Sequence, residues 1–420
     1  MHLFNANGVT NGHFGQLRHI PISYDTENPD SSARALILAL RPEWSDPNSK
    51  IEFTSFKDGI TNTLLKAVNR KEGLSKDEVD KEAVLLRAYG HGTDVLIDRH
   101  RETQNHELLM NHGLAPELLA RFDNGMLYRY IRGTVTQPAD LREPSIYLAV
   151  ARRLAQWHAI VPCIYESRAH EKGINGVANG SREAAIEHAA PGKPSPNVWT
   201  VMQKWIFALP TETEAQRTRQ ADLQKELSKL VEELSQRSGL GDDGLVFAHC
   251  DLLSGNVIVE PQDASCATQK DGPQKEISFI DYEYATPSPA AFDLANHFAE
   301  WGGFDCDFSV LPTRAQRLEF IREYIHKYFS LLPEKLGSID EEAEAQKLLA
   351  EVDTFRGVPG FYWGIWALIQ ATISQIDFDY ANYAEIRLGE YWAWREAIKE
   401  NENPSGKELP LRERRWAQLE

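Results

Sequence analysis

One loop constrains this chain more than any other stretch, because it places polar side chains at a fixed spacing between two short apolar runs. Residues 246–259 read V-F-A-H-C-D-L-L-S-G-N-V-I-V, with His249, Asp251 and Asn256 between the runs. Runs of this length beside turn-forming residues predict two buried strands joined by a loop. A further acidic residue, Asp281, follows the next apolar run in I-S-F-I-D-Y-E-Y.

The spacing H-x-D-x-x-x-x-N, followed later by apolar–apolar–Asp, suits phosphoryl transfer from ATP. That reaction needs a carboxylate to orient the attacking hydroxyl and accept its proton, oxygen ligands for Mg²⁺, and cations on the phosphates. We predict Asp251 as the base, with Asn256 and Asp281 as magnesium ligands. Glu283, two residues further along a segment expected to be extended, would face the same side as Asp281 and add an oxygen.

Each of these residues alone has an ordinary structural explanation. A single Asp before Leu-Leu is more often a turn or a helix cap, and a single Asn before a strand is usually a turn residue. The combined spacing is far more specific than any member. The catalytic interpretation therefore depends on the pattern as a whole.

The region before residue 132 predicts a small β-rich part that supplies the remaining phosphate contacts. A strand near Ile51 runs into a turn containing Gly59, and backbone N–H groups in such a turn can cover phosphates. An ordinary hairpin would look the same. The residues of this predicted flap are Asp58, Gly59, Thr61 and Asn62. Arg87 ends a buried strand over 83–87 and is expected to reach the phosphates, paired with Glu102 of the next helix; a surface ion pair is the alternative.

Helical periodicity dominates from Pro144 onwards. Apolar residues at 146, 150, 154 and 157, and leucines at 223, 227, 230 and 234, predict two amphipathic helices. The polar stretch 263–276 is expected to be the tip of a hairpin, and the charged tail beyond 401 is expected to fray. Further helices are predicted over 292–301, 313–330, 341–353, 361–376 and 381–400.

Net charge and cysteine usage exclude several classes of partner. The chain has 45 Lys and Arg against 62 Asp and Glu, a net charge of −17. This charge disfavours nucleic acid and anionic membrane surfaces and attracts a small cation. The most apolar stretch, 361–369, is too short to span a bilayer, the N-terminus lacks a secretory pattern, and the four cysteines form no C-x-x-C. We expect a cytoplasmic protein without an integral membrane segment.

The segment 361–383 is unusually aromatic and offers a site for a cationic ligand. Trp363 and Trp366 are three residues apart, so they share a helical face. Core packing explains most such aromatics taken one at a time. A ligand cation over a desolvated ring face gains about 1–2 kcal/mol, however, and Glu300 in N-H-F-A-E-W would balance its charge.

Four segments together resemble the choline/ethanolamine kinase family: I-T-N-T-L-L, H-C-D-L-L-S-G-N, I-D-Y-E-Y and F-D-L-A-N-H-F-A-E-W. The resemblance runs from about His19 to Leu388. It implies an α+β, protein-kinase-like two-lobed fold, with a small β-rich N-terminal lobe over 1–132 and a larger, mainly helical C-terminal lobe over 133–420. The implied activity is ATP-dependent, Mg²⁺-dependent phosphorylation of a small amino alcohol, which commits a phospholipid head group to its pathway.

The family's functional positions carry over residue by residue. Asp251 matches the catalytic aspartate, Asn256 and Asp281 the magnesium ligands, and Arg87 the phosphate contact of the small lobe. The positions that match the amino-alcohol pocket are Tyr284, Glu300, Trp363, Trp366, Phe378 and Tyr383. Cys250 departs from the family, which usually has Asn between the His and the Asp.

Substrate choice is less constrained than reaction type. H-x-D-L-L and I-D-Y-E-Y look more like ethanolamine kinases than choline kinases, yet the chain has both an acceptor for a primary ammonium and aromatic rings. We expect ethanolamine as the substrate, with choline as a secondary or alternative one. We also expect that the protein can form a homodimer. An aminoglycoside-type phosphotransferase would not be expected to carry N-H-F-A-E-W with W-x-x-W. A pseudokinase scaffold would usually have lost Asp251, Asn256 or Asp281.

Overall fold

The computed structural model describes residues 17–56, 62–90, 92–163, 196–241, 243–261, 275–333, 339–374, 376–402 and 406–420. The chain forms two compact units: Met1–Gly90 with Pro116–Tyr130, and His91–Ala115 with Ile131–Glu420. The lobe boundary after residue 132 remains a prediction. The division of the structure falls after Tyr130 and assigns 91–115 to the second unit.

The first unit is built on a six-stranded sheet. Its strands are β1 (His19–Ile20), β2 (Lys50–Phe56), β3 (Asn62–Arg70), β4 (Val84–Tyr89), β5 (Leu118–Phe122) and β6 (Gly125–Arg129). The strand order is β1-β5-β6-β4-β3-β2, and all neighbours are antiparallel except β1 and β5. The strand predicted near Ile51 is β2, and it pairs antiparallel with β3, with Phe56 facing Leu64 at the end of the pair.

Helix α1 (Pro29–Leu40) completes the core of this unit. Ala33, Leu36 and Ile37 are fully buried, at the i, i+3, i+4 spacing of one helical face. They pack with sheet residues such as Leu86 and Leu127 in a single apolar cluster. Each buried Leu or Ile contributes about 1.5–3 kcal/mol. A second helix, α2 (Lys76–Lys81), starts at a capping box formed by the Ser75 and Glu78 side chains.

The second unit is mainly helical. Its helices are α3 (Arg99–Asn111), α4 (Pro144–Ile160), α5 (Val198–Phe207), α6 (Glu214–Leu234), α7 (Ala290–Ala299), α8 (Arg314–Leu331), α9 (Glu341–Phe355), α10 (Val358–Ile373), α11 (Tyr380–Glu402) and α12 (Leu411–Ala417). The five helices predicted after residue 290 are confirmed, with their ends within three residues of the predicted ones. Within the described parts of the chain, no helix is long and apolar enough to cross a membrane.

Helix α4 anchors the strands that carry the predicted catalytic loop. Its predicted apolar face, which includes Leu154 and Trp157, is buried. The Trp157 ring centroid lies 6.3 Å from that of Phe247 and 5.4 Å from that of His249. These contacts place the entrance of the loop against a rigid helix.

Two small sheets frame the loop. Strand β9 (Val257–Val259) pairs with β10 (Ile277–Phe279) and with β7 (Thr134–Val135), while β8 (Val246–Ala248) pairs with β11 (Thr286–Ser288), and all these pairs are antiparallel. The predicted hairpin between β9 and β10 is confirmed, although its tip at 262–274 lies outside the described residues. The loop between β8 and β9 therefore has both ends fixed in strands.

The prediction of a frayed tail is wrong for the described residues after 405. Helix α12 buries Arg412, Glu413 and Trp416. The Arg317 guanidinium lies 4.0 Å from the Trp416 ring centroid and donates a 2.9 Å hydrogen bond to the Trp416 carbonyl. This part of the tail forms a helix because its charged residues pair with opposite charges and pack on ring faces inside the unit. The composition of the tail does not predict these contacts.

Candidate active site

Asp293, on α7, holds the start of the predicted catalytic loop. Its carboxylate accepts hydrogen bonds from the backbone N–H of His249 at 3.0 Å and of Cys250 at 2.7 Å, and pairs with His158 Nε2 at 3.0 Å. Burial acts to raise the pKa of Asp293, but the hydrogen bond and charge of His158 outweigh it and hold the pKa below its usual range. Sequence reasoning missed Asp293; its only signal was the F-D-L-A-N-H motif.

Cys250 occupies a backbone conformation that few side chains favour. Its φ is +63°, in the left-handed region that Asn tolerates better than Cys. The thiol sulfur lies 3.4 Å from Ser288 Oγ, on β11, and burial raises its pKa well above the usual value. The side chain therefore contributes packing behind the loop.

Asp251 and Asn256 are brought together as the spacing predicted. Asn256 Nδ2 donates to the Asp251 carbonyl at 2.7 Å and to Asp251 Oδ2 at 3.1 Å. Both side chains are buried, and the single helical turn Ser254–Asn256 sets the distance between them. The side-chain amide nitrogen of Asn256 donates its hydrogen bonds to Asp251, so the side-chain oxygen Oδ1 is the atom of Asn256 that could bind a metal.

Three acidic side chains act on Asp251. Burial raises the pKa of Asp251 well above its usual range, and the negative charges of Asp281, Glu300 and Glu283 raise it further, while the Asn256 hydrogen bond opposes them. Like charges in a buried site repel strongly unless a cation offsets them. This arrangement is typical of a site that binds a cation.

The segment after β10 is a turn, so the predicted extended stretch from Asp281 to Glu283 is wrong. Asp281 has φ +66° and the Ala285 N–H donates to the Tyr282 carbonyl at 3.1 Å. Asp adopts left-handed backbone more readily than most residues. Asn105, on α3, fixes this turn through a 2.9 Å hydrogen bond to the Ala285 carbonyl.

Arg99 is a cation of this region that sequence reasoning missed. Its Nη1 lies 2.9 Å from Glu102 Oε2 and 3.3 Å from Glu283 Oε2, and all three side chains are largely buried. The structure therefore gives both Glu102 and Glu283 a cation partner. The pairing of Glu102 with Arg87 and the role of Glu283 as a metal ligand remain predictions.

Of the predicted flap, the structure describes only Asn62, the first residue of β3. Asp58, Gly59 and Thr61 lie outside the described residues. Arg87 is buried in β4, in register with Leu64 on one side and Met126 on the other. The phosphate contacts of these residues remain predictions.

Three of the predicted pocket residues form one aromatic contact set. Trp366 Nε1 donates to Tyr284 Oη at 2.8 Å, and the rings of Trp363 and Trp366 meet edge to face with centroids 5.5 Å apart. The Tyr284 ring lies 5.5 Å from that of Trp363. All three side chains are buried, and edge-to-face packing fixes their ring planes.

Tyr380 and Phe304, which sequence reasoning missed, connect this set to the other predicted rings. Tyr380 lies 5.7 Å from Trp366 and 4.8 Å from Phe378, by ring centroids. Phe378 lies 5.6 Å from Tyr383, and Phe304 6.0 Å from Tyr383. We call these seven residues the aromatic cluster: Tyr284, Trp363, Trp366, Tyr380, Phe378, Tyr383 and Phe304.

Asn296 links the catalytic loop to the aromatic cluster. Its Nδ2 donates to the Cys250 carbonyl at 2.8 Å, and its Oδ1 accepts from Trp363 Nε1 at 2.8 Å. The side chain is fully buried, so both hydrogen bonds are protected from water. Asn296 belongs to the N-H-F-A-E-W motif, but its role was not predicted.

Glu300 is the C-cap residue of α7. Its charge acts on both Asp251 and Tyr383, and its Oε1 lies 3.4 Å from Arg387 Nη2. Burial raises the pKa of Glu300, while the positive charge of Arg387 partly opposes this. The predicted acid of the cation pocket thus already has a counter-ion within the protein.

The donor set fits a magnesium ion that shares its ligands with phosphates. Within the described ranges, no group of three or more His, Cys, Asp or Glu side chains is arranged as a metal cage. Magnesium is usually held by one or two carboxylates together with substrate phosphates and water. Asp281 and the carbonyl oxygen of Asn256 match that requirement.

Comparison with known proteins gives a consistent relationship. The family model for choline/ethanolamine kinase matches residues 53–392. An ethanolamine kinase of Drosophila melanogaster is 36% identical, over 89% of this chain and 79% of its own length. Ethanolamine kinase 2 of Mus musculus is 32% identical, over 89% of this chain and 83% of its own.

Solved structures show the fold. An ethanolamine kinase of Plasmodium vivax aligns with a TM-score of 0.64 at 24% identity, covering 87% of this chain and 89% of that one. A choline kinase of Cryptosporidium parvum aligns with a TM-score of 0.58 at 20% identity, covering 89% and 97%. The predicted kinase-like α+β fold is confirmed.

Proposed function

The chain belongs to the choline/ethanolamine kinase family, and we propose that it transfers the terminal phosphoryl group of ATP to the hydroxyl of ethanolamine. One observation carries the proposal beyond family membership. Glu300 acts electrostatically both on the base, Asp251, and on Tyr383 of the aromatic cluster. A phosphoryl acceptor with a cationic end and a hydroxyl end suits such a site.

Asp251 performs the proton chemistry in this proposal. Its carboxylate orients the substrate hydroxyl and accepts the proton as the bond to phosphorus forms. Asn256 holds that carboxylate through its amide, and Asp293 holds the backbone of the loop. Magnesium, held by Asp281 and Asn256, would offset the charge that develops on the phosphates.

The aromatic cluster and Glu300 select the amino alcohol. A primary ammonium has three N–H donors, so it needs an acceptor such as the Glu300 carboxylate in addition to ring faces. A trimethylammonium has no donor and relies on ring faces alone. The curated relatives reported above are ethanolamine kinases, which supports ethanolamine as the substrate.

We expect Trp366→Ala to raise the KM for ethanolamine about tenfold, since a desolvated cation–ring contact contributes about 1–2 kcal/mol. The KM for ATP should stay within about twofold, because the indole contacts Tyr284 in the cluster. Initial rates with each substrate varied in turn give both constants. Trp392→Ala, at a tryptophan of α11 that is 43% exposed, is the matched control. An effect confined to ATP would contradict the pocket.

The proposed function is tested by ATP consumption with a panel of acceptors. We expect kcat/KM to be highest for ethanolamine and to fall through the methylated intermediates to choline. A higher value for choline would favour a choline kinase, and turnover of an aminoglycoside alone would favour the other phosphotransferase class. If the protein consumes no ATP with any of these acceptors, the result would support a non-catalytic scaffold.

Three further assignments belong to the same proposal. Loss of activity with a magnesium chelator, restored by added Mg²⁺, would support the proposed requirement for Mg²⁺. A cytoplasmic location is consistent with Cys250 and Cys306 being free thiols, and fractionation of cells tests it. The homodimer stays a prediction, which light scattering of the purified full chain checks.

A further inference from the structure

A row of buried ion pairs runs from Glu300 into helix α12. Arg387 lies 3.4 Å from Glu300 and 3.3 Å from Glu390, by nitrogen–oxygen distance. Arg412 lies 3.2 Å from Glu390 and 3.0 Å from Glu413. All five residues are 5% exposed or less. We call them the ion-pair row.

The charges of the row are balanced by one more arginine. Arg356 Nε lies 2.9 Å from Glu413 Oε2, so three guanidinium groups alternate with three carboxylates. A buried charge is costly unless it is paired, and removal of one partner leaves the other uncompensated. Removal of Arg412, on α12, would therefore leave Glu390 with Arg387 as its one remaining partner in the row.

The contact between Arg387 and Glu300 is the loosest of the row. Arg387 Nη2 and Glu300 Oε1 are 3.4 Å apart, the longest nitrogen–oxygen distance in the row. Glu300 thus has a neighbouring positive charge at a long distance, which neutralises its carboxylate only in part. Glu390 pairs with both Arg387 and Arg412. The strength with which Glu390 attracts Arg387 therefore depends on Arg412, and it determines how closely Arg387 approaches Glu300.

Helix packing couples the row to the tryptophans of the aromatic cluster. A side chain at Gly360, on α10, would bring its Cβ to 2.5 Å from the Arg387 carbonyl and 3.0 Å from Glu390 Cβ. The two helices therefore approach closely at the level of the row. Trp363 follows Gly360 by one turn of α10, so the cluster and the row are carried by the same pair of packed helices.

We propose that Arg387 and Arg412 are positioning residues for the amino alcohol, and that helix α12 thereby contributes to substrate recognition. Arg412 holds Glu390, Glu390 limits the pull of Arg387 on Glu300, and Glu300 meets the ammonium. The inference rests on the proposed function, since it concerns the same substrate site.

The test is a charge-balanced pair of variants of the full chain. In Arg412→Met, Glu390 keeps only Arg387 and draws it from Glu300, so Glu300 is less neutralised and we expect the KM for ethanolamine to fall about tenfold, an ordinary coupling energy for neighbouring charges. The KM for ATP should stay within about twofold. In Glu390→Gln/Arg412→Met the extra charge is gone, and the ethanolamine KM should return to near the wild-type value. Arg322→Met, in an exposed pair with Glu342, is the matched control.

Several outcomes would overturn the inference. These are an unchanged or raised ethanolamine KM in folded Arg412→Met, an equal fall in the KM for ATP, or a double variant with the same ethanolamine KM as the single one. If Arg412→Met does not fold, Arg412→Lys replaces it, with a smaller fall in ethanolamine KM expected, and the absence of a fall would overturn the inference. A wild-type protein that does not phosphorylate ethanolamine refutes the proposed function and the inference together, whereas an active wild type with unshifted variants refutes the inference alone.

Discussion

Asp251→Asn is expected to lower kcat about 10³-fold, within the range that a positioned general base contributes. The amide cannot accept the proton of the attacking hydroxyl, although it keeps the shape of the carboxylate and an oxygen for the hydrogen bond from Asn256. The KM for ATP should stay within about twofold, because the predicted metal ligands are retained. Steady-state rates, with ATP binding measured by calorimetry, separate the two effects.

The matched control for Asp251 is Asp340→Asn. Asp340 is an exposed aspartate that caps α9 through the N–H of Ala343, so its loss affects local stability and not the reaction. A near-normal kcat in Asp251→Asn would remove this residue from the chemistry. A folded Asp251→Asn protein that no longer binds ATP would instead indicate that Asp251 belongs to the metal site.

Asp281→Asn should give the second large effect, with a different kinetic pattern. The loss of a carboxylate ligand is expected to raise the Mg²⁺ concentration needed for half-maximal rate about 10–100-fold and to lower kcat/KM for ATP with it. The left-handed backbone at this position is tolerated by Asn, so the turn should survive the substitution. A titration of rate against free Mg²⁺ measures the effect.

Asp222→Asn, at an exposed position of α6, provides the comparison for Asp281. An unaltered Mg²⁺ dependence in Asp281→Asn would remove the residue from the metal site. A change in the KM for ethanolamine without a change in Mg²⁺ dependence would assign Asp281 to the amino-alcohol pocket.

Local patterns predicted the parts of the site that are close in sequence. Asp251 and Asn256 meet because one short turn between two strands sets their distance, and that turn is visible in the spacing. Helical periodicity found the faces of α4 and α6, since burial of an apolar face follows directly from the repeat.

Asp293 and Asn296 were missed because they act through distant partners. Asp293 bonds to residues more than 40 positions earlier, and Asn296 joins Cys250 to Trp363 across 46 and 67 positions. Periodicity tells which face of a helix is buried and gives no information on what it meets. The turn at Asp281 was missed for another reason, because the sign of φ at an Asp is not visible from its neighbours.

Helix α3 has a consequence for how the chain can be divided. The chain enters the second unit at residues 91–115, returns to the first for 116–130, and then leaves it again. Asn105 of that excursion bonds to Ala285, 180 positions later. Neither unit is therefore one continuous piece of the sequence. A protein cut between residues 132 and 133 would leave α3 on the fragment that does not contain its partners, so an autonomously folding fragment of the second unit must begin before α3.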